Sequence, residues 1–574
     1  MIQRDEVLLK NNQEWLHFAK PHRIISAANL GEVRAALQEV EYLVNTNGWY
    51  AAGFVSYESA PAFDNALQVI SSDDFPLLWF GLYPEPASVK LPDVEVSINE
   101  MTWLPSVDRE TYNSAIEKVK EKIAAGRTYQ VNYTMRLRSE APADEWNFFL
   151  HLAQSQNKYA AYIDAGRYVI CSASPELFFK LDGEKIFSRP MKGTVKRGRT
   201  NLEDKELSTW LNQSIKNHAE NVMIVDMIRN DLGRIAKVGS VHVPDLFTIE
   251  KYPTLLQMTS TVQAKTEASL NEIFSALFPC ASITGAPKVS TMKIIADLET
   301  TPRKLYTGSI GYIFPNRKAQ FSVAIRTALI DRDTRSAEYG VGGGIVWDST
   351  SADEYREALL KARVLTDPPQ KDFSLFETIL WNPQEGFYLR ENHIRRLCDS
   401  AKYFDFRFSK EELELFLDQL EKGFDSPQRV KVSLDRNGKI TSEHRPLPET
   451  KPVLTACLAI EPIDSRNVFL FHKTTQRQVY TSAHEARPNC DEVLLYNAEN
   501  ELTEFTIGNL VVELDGQILT PPTKCGLLAG TYRERLLETG EIMEQVIHTE
   551  DLKKCSKIFM VNSVRKWVEV NLLT

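Results

Sequence analysis

Two adjacent prolines, Pro368 and Pro369, interrupt this 574-residue chain where a helical pattern stops and a strand-like one starts. The segment Thr366-Asp-Pro-Pro-Gln-Lys371 follows a run ending near Leu365 and precedes FSLFETIL. Paired prolines cannot continue a helix and make a short, semi-rigid connector. The expectation is a first domain of residues 1–365, a linker of 366–371 and a second domain of 372–574, each long enough to bury its own core.

In the first part, Tyr168–Ser172, Leu177–Leu181, Ile310–Ile313, Gln320–Leu329 and Tyr339–Val346 read as strands, with helices over Leu207–Ile235 and Ala352–Leu365. No regular βαβ alternation appears, so a large α+β sandwich is expected rather than a dinucleotide-binding fold. The second part mixes strands (Glu492–Tyr496, Asn509–Leu514, Lys557–Val561) with helices. A formal net charge of −10 argues against a nucleic-acid partner, because phosphate binding needs a basic surface. No stretch approaches the ~20 apolar residues of a spanning helix, and the N-terminus shows no secretory signal. A cytoplasmic enzyme with no membrane partner is therefore expected. The seven cysteines are scattered, and neither a disulfide framework nor a zinc site is expected from their spacing.

Chemistry concentrates first in VGGGIVWDSTSADEYREALLKA. Gly342-Gly343-Gly344 lets a ligand approach the backbone, and the helix that opens near Ser351 presents free N–H groups to an anion. Glu354, Glu357 and Lys361 stand at i, i+3 and i+7, on one helical face. Two readings are open: two carboxylates holding Mg²⁺ beside an ammonium, or a capping box and an ordinary i,i+4 surface pair. Glu220, in HAENVMIVDMIRNDLGR, is a further carboxylate on a helix. Glu176 in SASPELFF and Lys192 in SRPMKGTVKRG each lie beside a proline at the end of a strand-like run. Lys192 reads either as a desolvated nucleophile or as a solvated turn lysine.

SPELFF, PMKGT, HAENVMIVDMIRNDLGR, SITGAPK, LYTGSIGYI, AIRT and GGGIVWDS occur here in the order seen in the chorismate-utilising enzymes, which this region resembles over about residues 100–365. That family includes anthranilate synthase, aminodeoxychorismate synthase component I and the isochorismate and salicylate synthases. The resemblance implies an anthranilate-synthase-like sandwich. It implies Glu220 and Glu357 as Mg²⁺ ligands, Glu354 as their water-mediated partner, and Thr284, Tyr306, Arg326, Gly343 and Lys361 as binders of chorismate. PMKGT is close to the PIKGT of aminodeoxychorismate synthases and unlike the PIAGT of anthranilate synthases. Lys192 is thereby implied to add at ring C2 as the C4 hydroxyl departs, with Glu176 as the acid. One departure is Gln257, which stands where many relatives carry histidine; glutamine orients but cannot shuttle a proton near neutral pH. No cysteine has the setting of an amidotransferase nucleophile, so a separate glutamine amidotransferase subunit, or free ammonia, is implied as the nitrogen source.

After the linker, FSLFETIL, ENHIRRL, FHKTTQR, CDEVLLYNAENELTEFTIGNLVV, PPTKCGLLAGTYRERLL and MVNSVRKWVEV resemble in order the fold-type-IV, branched-chain-aminotransferase-like pyridoxal phosphate enzymes. Lys473, after an apolar strand at Val468–Phe471, is implied as the lysine that holds the cofactor covalently, and Glu504 as the acid at the ring nitrogen. Arg396, the backbone at Thr531 and Ser563 are implied to bind its phosphate. Stand-alone relatives usually carry a further strand before FET, and Tyr532 replaces a small hydroxyl residue, so only its backbone contact carries over. Such relatives commonly dimerise. The expected whole is chorismate amination followed by conversion of the product to 4-aminobenzoate and pyruvate. The alternatives are a C-terminal transaminase, another chorismate product such as anthranilate or isochorismate, or a catalytically silent docking subunit.

Overall fold

The computed structural model describes residues 2–573 apart from 12–13, 73, 93–100, 156–157, 253, 367–371 and 448–450. All of the expected linker except Thr366 lies outside the described residues. The chain forms two compact units, residues 1–196 with 208–370 and residues 197–207 with 371–574.

The first unit is built on two ten-stranded antiparallel sheets. The elements that matter for the site are, in chain order, β1 (Gln130–Glu140), β2 (Tyr168–Ser174), β3 (Leu177–Asp182), β4 (Met191–Lys196), α1 (Ile215–Gly233), β5 (Leu255–Lys265), α2 (Lys288–Leu298), β6 (Lys318–Val323), β7 (Thr327–Asp331), β8 (Ser336–Ile345) and α3 (Ser351–Ala362). One sheet pairs β1 with β8, β8 with β7 and β7 with β2. The other pairs β3 with β6 and β4 with β5. Val7, Phe18 and Ile170 of the first sheet meet Phe54, Trp79 and Ile310 of the second in one buried cluster, so the sheets pack face to face. Helices cover both outer faces: α1 with Leu30–Asn47 on one, and α2 and α3 on the other. Strands covered on both sides read as continuous apolar runs; all seven residues of β2 are buried. Each fully buried aliphatic or aromatic side chain contributes roughly 1.5–3 kcal/mol.

Three expected elements are corrected here. Gln320–Leu329 is two strands, β6 and β7, because the chain leaves one sheet at Val323 and enters the other at Thr327. The helix expected over Leu207–Ile235 is two helices, Asn201–Gln213 and α1, divided at Ser214, whose hydroxyl accepts the Asn217 N–H and caps the second. α3 stops at Ala362 and a tighter 3₁₀ turn occupies Arg363–Leu365.

The second unit has a four-stranded and an eight-stranded sheet. Its site elements are β9 (Leu375–Asn382), α4 (Arg390–Phe404), β10 (Leu502–Phe505), β11 (Asn509–Leu514), α5 (Thr531–Glu538) and β12 (Lys557–Asn562). The strand expected at Val468–Phe471 is instead a 3₁₀ turn over Val468–Leu470, closed by the Asn467 side chain accepting the Phe469 N–H at 3.0 Å. The cysteine expectation is corrected at one place: the structure joins Cys457 to Cys490. Parallel pairing of Ala456 with Glu492 brings these distant positions together, which their spacing in sequence could not reveal.

Residues 197–207 are part of this unit although they belong to the first half of the sequence. The Tyr403 hydroxyl donates to Gly198 O at 2.6 Å, the Arg197 guanidinium donates to Tyr403 O at 3.0 Å, and His472 Nε2 meets Arg199 O at 3.0 Å.

Candidate active sites

The first site forms where the chain passes between the two sheets. Glu176 lies on the crossing from β2 to β3, and Arg326 on the crossing from β6 to β7, at φ +51°. The crossings brace each other: Val323 N donates to Glu176 O at 3.1 Å, and Ala173 N to Arg326 O at 3.0 Å. Left-handed backbone costs a non-glycine residue about 1–2 kcal/mol, and these bonds hold Arg326 there. Burial holds its guanidinium below the usual range. Among the described residues, the groups acting on it electrostatically are the hydroxyls of Tyr339 and Tyr252, with no carboxylate. A buried cation without an anion is costly unless an anionic ligand completes it.

Glu176 is 4% exposed and accepts the Ser282 hydroxyl at 2.6 Å. Burial pushes its carboxyl up to about 7, against the hydrogen bond and the Lys192 ammonium. Lys192, on β4, has its amine pushed down by burial; Glu220 and Glu176 oppose this, and Lys361 adds to it. Those couplings place Lys192 among Glu176 (the β2–β3 crossing), Glu220 (α1) and Glu357 and Lys361 (α3). Gln257 on β5 braces the strand that carries it: its Nε2 donates to Gly193 O at 2.9 Å and its Oε1 accepts the Thr194 hydroxyl at 2.8 Å.

The α3 face meets the glycine run as the helical period requires. A Cβ built on Gly343 would lie 3.1 Å from Glu354 Oε2, 3.6 Å from Lys361 Nζ and 4.0 Å from Glu357 Oε1. Lys361 donates to Gly342 O at 2.9 Å and pairs with Glu357 at 2.8 Å, so the i,i+4 pair forms while both groups face the site. Lys361 holds Glu357 below its usual range; burial raises Glu354, which accepts the Ser349 hydroxyl at 2.6 Å. The Tyr306 ring lies on Gly340, where a Cβ would meet it at 2.1 Å, and burial pushes its hydroxyl up to about 12, leaving it a neutral donor. Thr284 is fully buried, with its hydroxyl turned to Cys280 O and Ala281 O at 3.2 and 3.3 Å, so its donor is committed to its own turn. Pro287 of SITGAPK stands at the N-cap of α2.

Among the described residues no cluster of three or more His, Cys, Asp or Glu stands assembled for a metal. Two carboxylates, Glu354 and Glu357, face Gly343 beside the Lys361 ammonium. That carboxylate pair suits Mg²⁺, a hard cation that takes one or two carboxylates and completes its shell with water and substrate oxygens. A cavity of about 590 Å³ runs along α1 past Met223 and Met227 to Lys288, and none of the expected site residues lines it. Ser282, Ser349 and Gln130 were not singled out from the sequence. Ser282 lies in SITGAPK beside Thr284, and that motif was the available signal.

In the second unit, Lys473 has its amine pushed down to about 8, by burial first and then by the Arg396 cation, with Glu377 opposing. Burial pushes Glu504 up to about 7. Glu504 lies on β10 and accepts the Tyr480 hydroxyl at 2.7 Å, Leu528 N at 3.1 Å and Asn509 Nδ2 at 3.1 Å. Arg396 on α4 donates to both oxygens of Glu377 (2.8 and 2.6 Å) and to Ala529 O at 3.0 Å, which engages at least three of its five N–H groups. His393, one turn before it, donates to the Glu377 carboxylate (2.7 Å) and lies 3.3 Å from the Thr531 hydroxyl at the start of α5. The structure thus gathers Lys473, Glu504, Arg396 and Thr531. Ser563, after β12, reaches Thr378 O at 3.5 Å, beside Glu377. Glu377, His393 and Tyr480 were missed, although FET and NHI flank the residues that were named. A buried amine, a buried acid with three donors and a glycine-led helix start suit pyridoxal phosphate.

The two units differ in fold, and each matches its own family model. The chorismate binding enzyme model matches residues 87–367, and the class IV amino-transferase model matches 374–573. The first part of the chain belongs to the aminodeoxychorismate synthase component 1 family. It is 34% identical over 355 residues to aminodeoxychorismate synthase component 1 of Bacillus subtilis, covering 54% of this chain and 75% of that protein. It is 40% identical over 280 residues to the chloroplastic aminodeoxychorismate synthase of Arabidopsis thaliana, covering 48% of this chain but 30% of that one. The fold is shared with anthranilate synthase component I of Streptococcus pneumoniae, at TM-score 0.54 and 24% identity over 64% of this chain and 93% of that one. Among the described residues no helix is long and apolar enough to cross a membrane.

Proposed function

We propose that the first domain, residues 1–365, aminates chorismate to 4-amino-4-deoxychorismate, and that the domain of residues 372–574 converts this product to 4-aminobenzoate and pyruvate. The observation that carries the first half is the pairing of a depressed amine at Lys192 with a raised acid at Glu176 in one buried site. Nζ of Lys192 forms a bond to ring C2, both ring double bonds shift one position (C1=C2 to C1=C6 and C5=C6 to C4=C5), and the C4–O bond breaks. Glu176 gives its proton so that water leaves. Ammonia then bonds to C4, the Nζ–C2 bond breaks and returns the lysine, and one ammonium proton goes back to Glu176. Arg326, Lys361 and the Tyr306 hydroxyl orient the carboxylates, with the backbone at Gly343. Glu220 and Glu357 would hold Mg²⁺, with Glu354 supporting; the ion supplies the positive charge that lets a glutamate-rich site accept a dianion.

The nitrogen comes as ammonia from a separate amidotransferase. Burial raises the thiols of all five free cysteines, those of Cys280 and Cys525 to about 12, whereas a nucleophilic cysteine needs the opposite shift. Support for such a partner also lies in the "component 1" of the relatives' names.

In the second domain Lys473 and Glu504 would hold pyridoxal phosphate, with Arg396, Thr531 and Ser563 at its phosphate; the cofactor supplies an electron sink. Lys473, with its amine near neutrality, moves the proton that aromatises the ring while pyruvate departs. The fusion to a domain making this substrate favours the lyase over a transaminase. The test is product analysis with chorismate, ammonium, Mg²⁺ and pyridoxal phosphate. 4-Aminobenzoate is expected. Aminodeoxychorismate accumulating unchanged would refute the lyase, and anthranilate or isochorismate would refute the first step.

A further inference from the structure

Gln130, at the start of β1, is 1% exposed, and among the described residues neither its amide oxygen nor its amide nitrogen has a hydrogen-bond partner. Both Thr128 and the Ala286 pairing engage its backbone only. A buried amide left unsatisfied costs about 1–3 kcal/mol, so such a group in a native fold calls for a partner that binds later. Its position says which. A Cβ built on Gly344 would lie 1.8 Å from Gln130 Nε2 and 3.2 Å from Lys192 Nζ. The third glycine of the run therefore exists to admit this amide, and the amide shares its space with the amine of Lys192.

We infer that Gln130 is a positioning residue that couples Lys192 to the bound ring acid: once that acid is in place, its Oε1 accepts from the lysine amine and its Nε2 donates to a substrate oxygen. The amide is suited to this by its two-sidedness, since it offers an acceptor to a group that carries only donors and a donor to a group that carries only acceptors. It also adds no charge, so the amine stays free to lose its proton. Gln257 braces the strand behind Lys192, whereas Gln130 faces the amine itself.

This rests on the chemistry proposed for Lys192, so the test has one arm that does not. In the first arm, the full-length protein is labelled with a small amine-reactive reagent across a pH series, and modification of Lys192 is read by mass spectrometry. Gln130→Glu places a carboxylate beside the amine, so the Lys192 labelling profile should move to higher pH. Gln130→Leu should lower the labelling rate several-fold with no loss of thermal stability. In the second arm, amination kinetics with ammonium should show Gln130→Leu lowering kcat at least 10-fold with a smaller change in KM. Gly344→Ala, which expels the amide, should copy this, and the double variant with Gln130→Ala should lose little more than either alone. Folded variants with an unchanged Lys192 labelling profile would overturn the inference. A wild-type protein that fails to aminate chorismate overturns the proposed reaction instead, and leaves the labelling arm to judge Gln130.

Discussion

Lys192 of the first unit and Lys473 of the second are both partly buried lysines whose amines desolvation lowers, but the balance of charge around the two differs. Lys192 is surrounded mainly by carboxylates, with Glu220, Glu176 and Glu357 all acting to keep it protonated. Around Lys473 the charges are balanced, with Arg396 and Arg477 reinforcing burial and Glu377 and Glu504 opposing it. An acidic surround must be balanced by a cation before a dianion enters, whereas a surround that already holds guanidiniums can take a phosphate without a metal. The excess of carboxylates around Lys192, and its absence around Lys473, therefore separates the two lysines although they are the same residue type.

The contrast is broken most directly by removing each lysine. Lys192→Ala should lower amination by at least ~10³-fold while supplied aminodeoxychorismate is still consumed, and Lys473→Ala should do the reverse. Product assays of each half-reaction check this; loss of both activities in either variant would show that the sites are not chemically separate. Next, Glu176→Gln should cost amination ~10²–10⁴-fold. Because the Glu176 carboxyl titrates near 7 and its protonated form is the active one, wild-type kcat should fall as pH rises above about 7, and the variant should lack that limb. A chelator should then suppress amination and spare the second reaction, as expected if only the acidic site needs a cation. A chelator-sensitive second reaction would contradict the charge contrast.

The smallest effect sharpens it further. Gln257→Leu removes two hydrogen bonds to the strand of Lys192, each worth about 0.5–1.5 kcal/mol, and should lower kcat roughly 10-fold with KM nearly unchanged.

The α3 face was legible because helical period alone puts Glu354, Glu357 and Lys361 on one side, and Gly343 is where that side lands. The layered α+β fold was legible from long apolar strands without βαβ alternation. The break at Arg326 was not, because FSVAIRTALI stays apolar on both sides of it and the change of sheet leaves no mark in hydropathy. Nor was the Cys457–Cys490 pairing, which depends on strand neighbours 33 residues apart. Gln130 and Ser282 are small polar residues inside buried runs, and only three-dimensional contact distinguishes them from satisfied core amides and hydroxyls.

The strip of residues 197–207 has a consequence for how the molecule is made. His472 is 273 residues downstream of its backbone partner Arg199, and Tyr403 is 205 downstream of Gly198. At ~5–20 residues per second of synthesis, the strip waits roughly 15–50 s before its partner has left the ribosome. During that interval the strip has none of its partners from the second unit to fold against. Cutting the gene at the proline connector would therefore not yield two whole proteins: the first product would carry a strip with nothing to fold onto, and the second would lack part of itself.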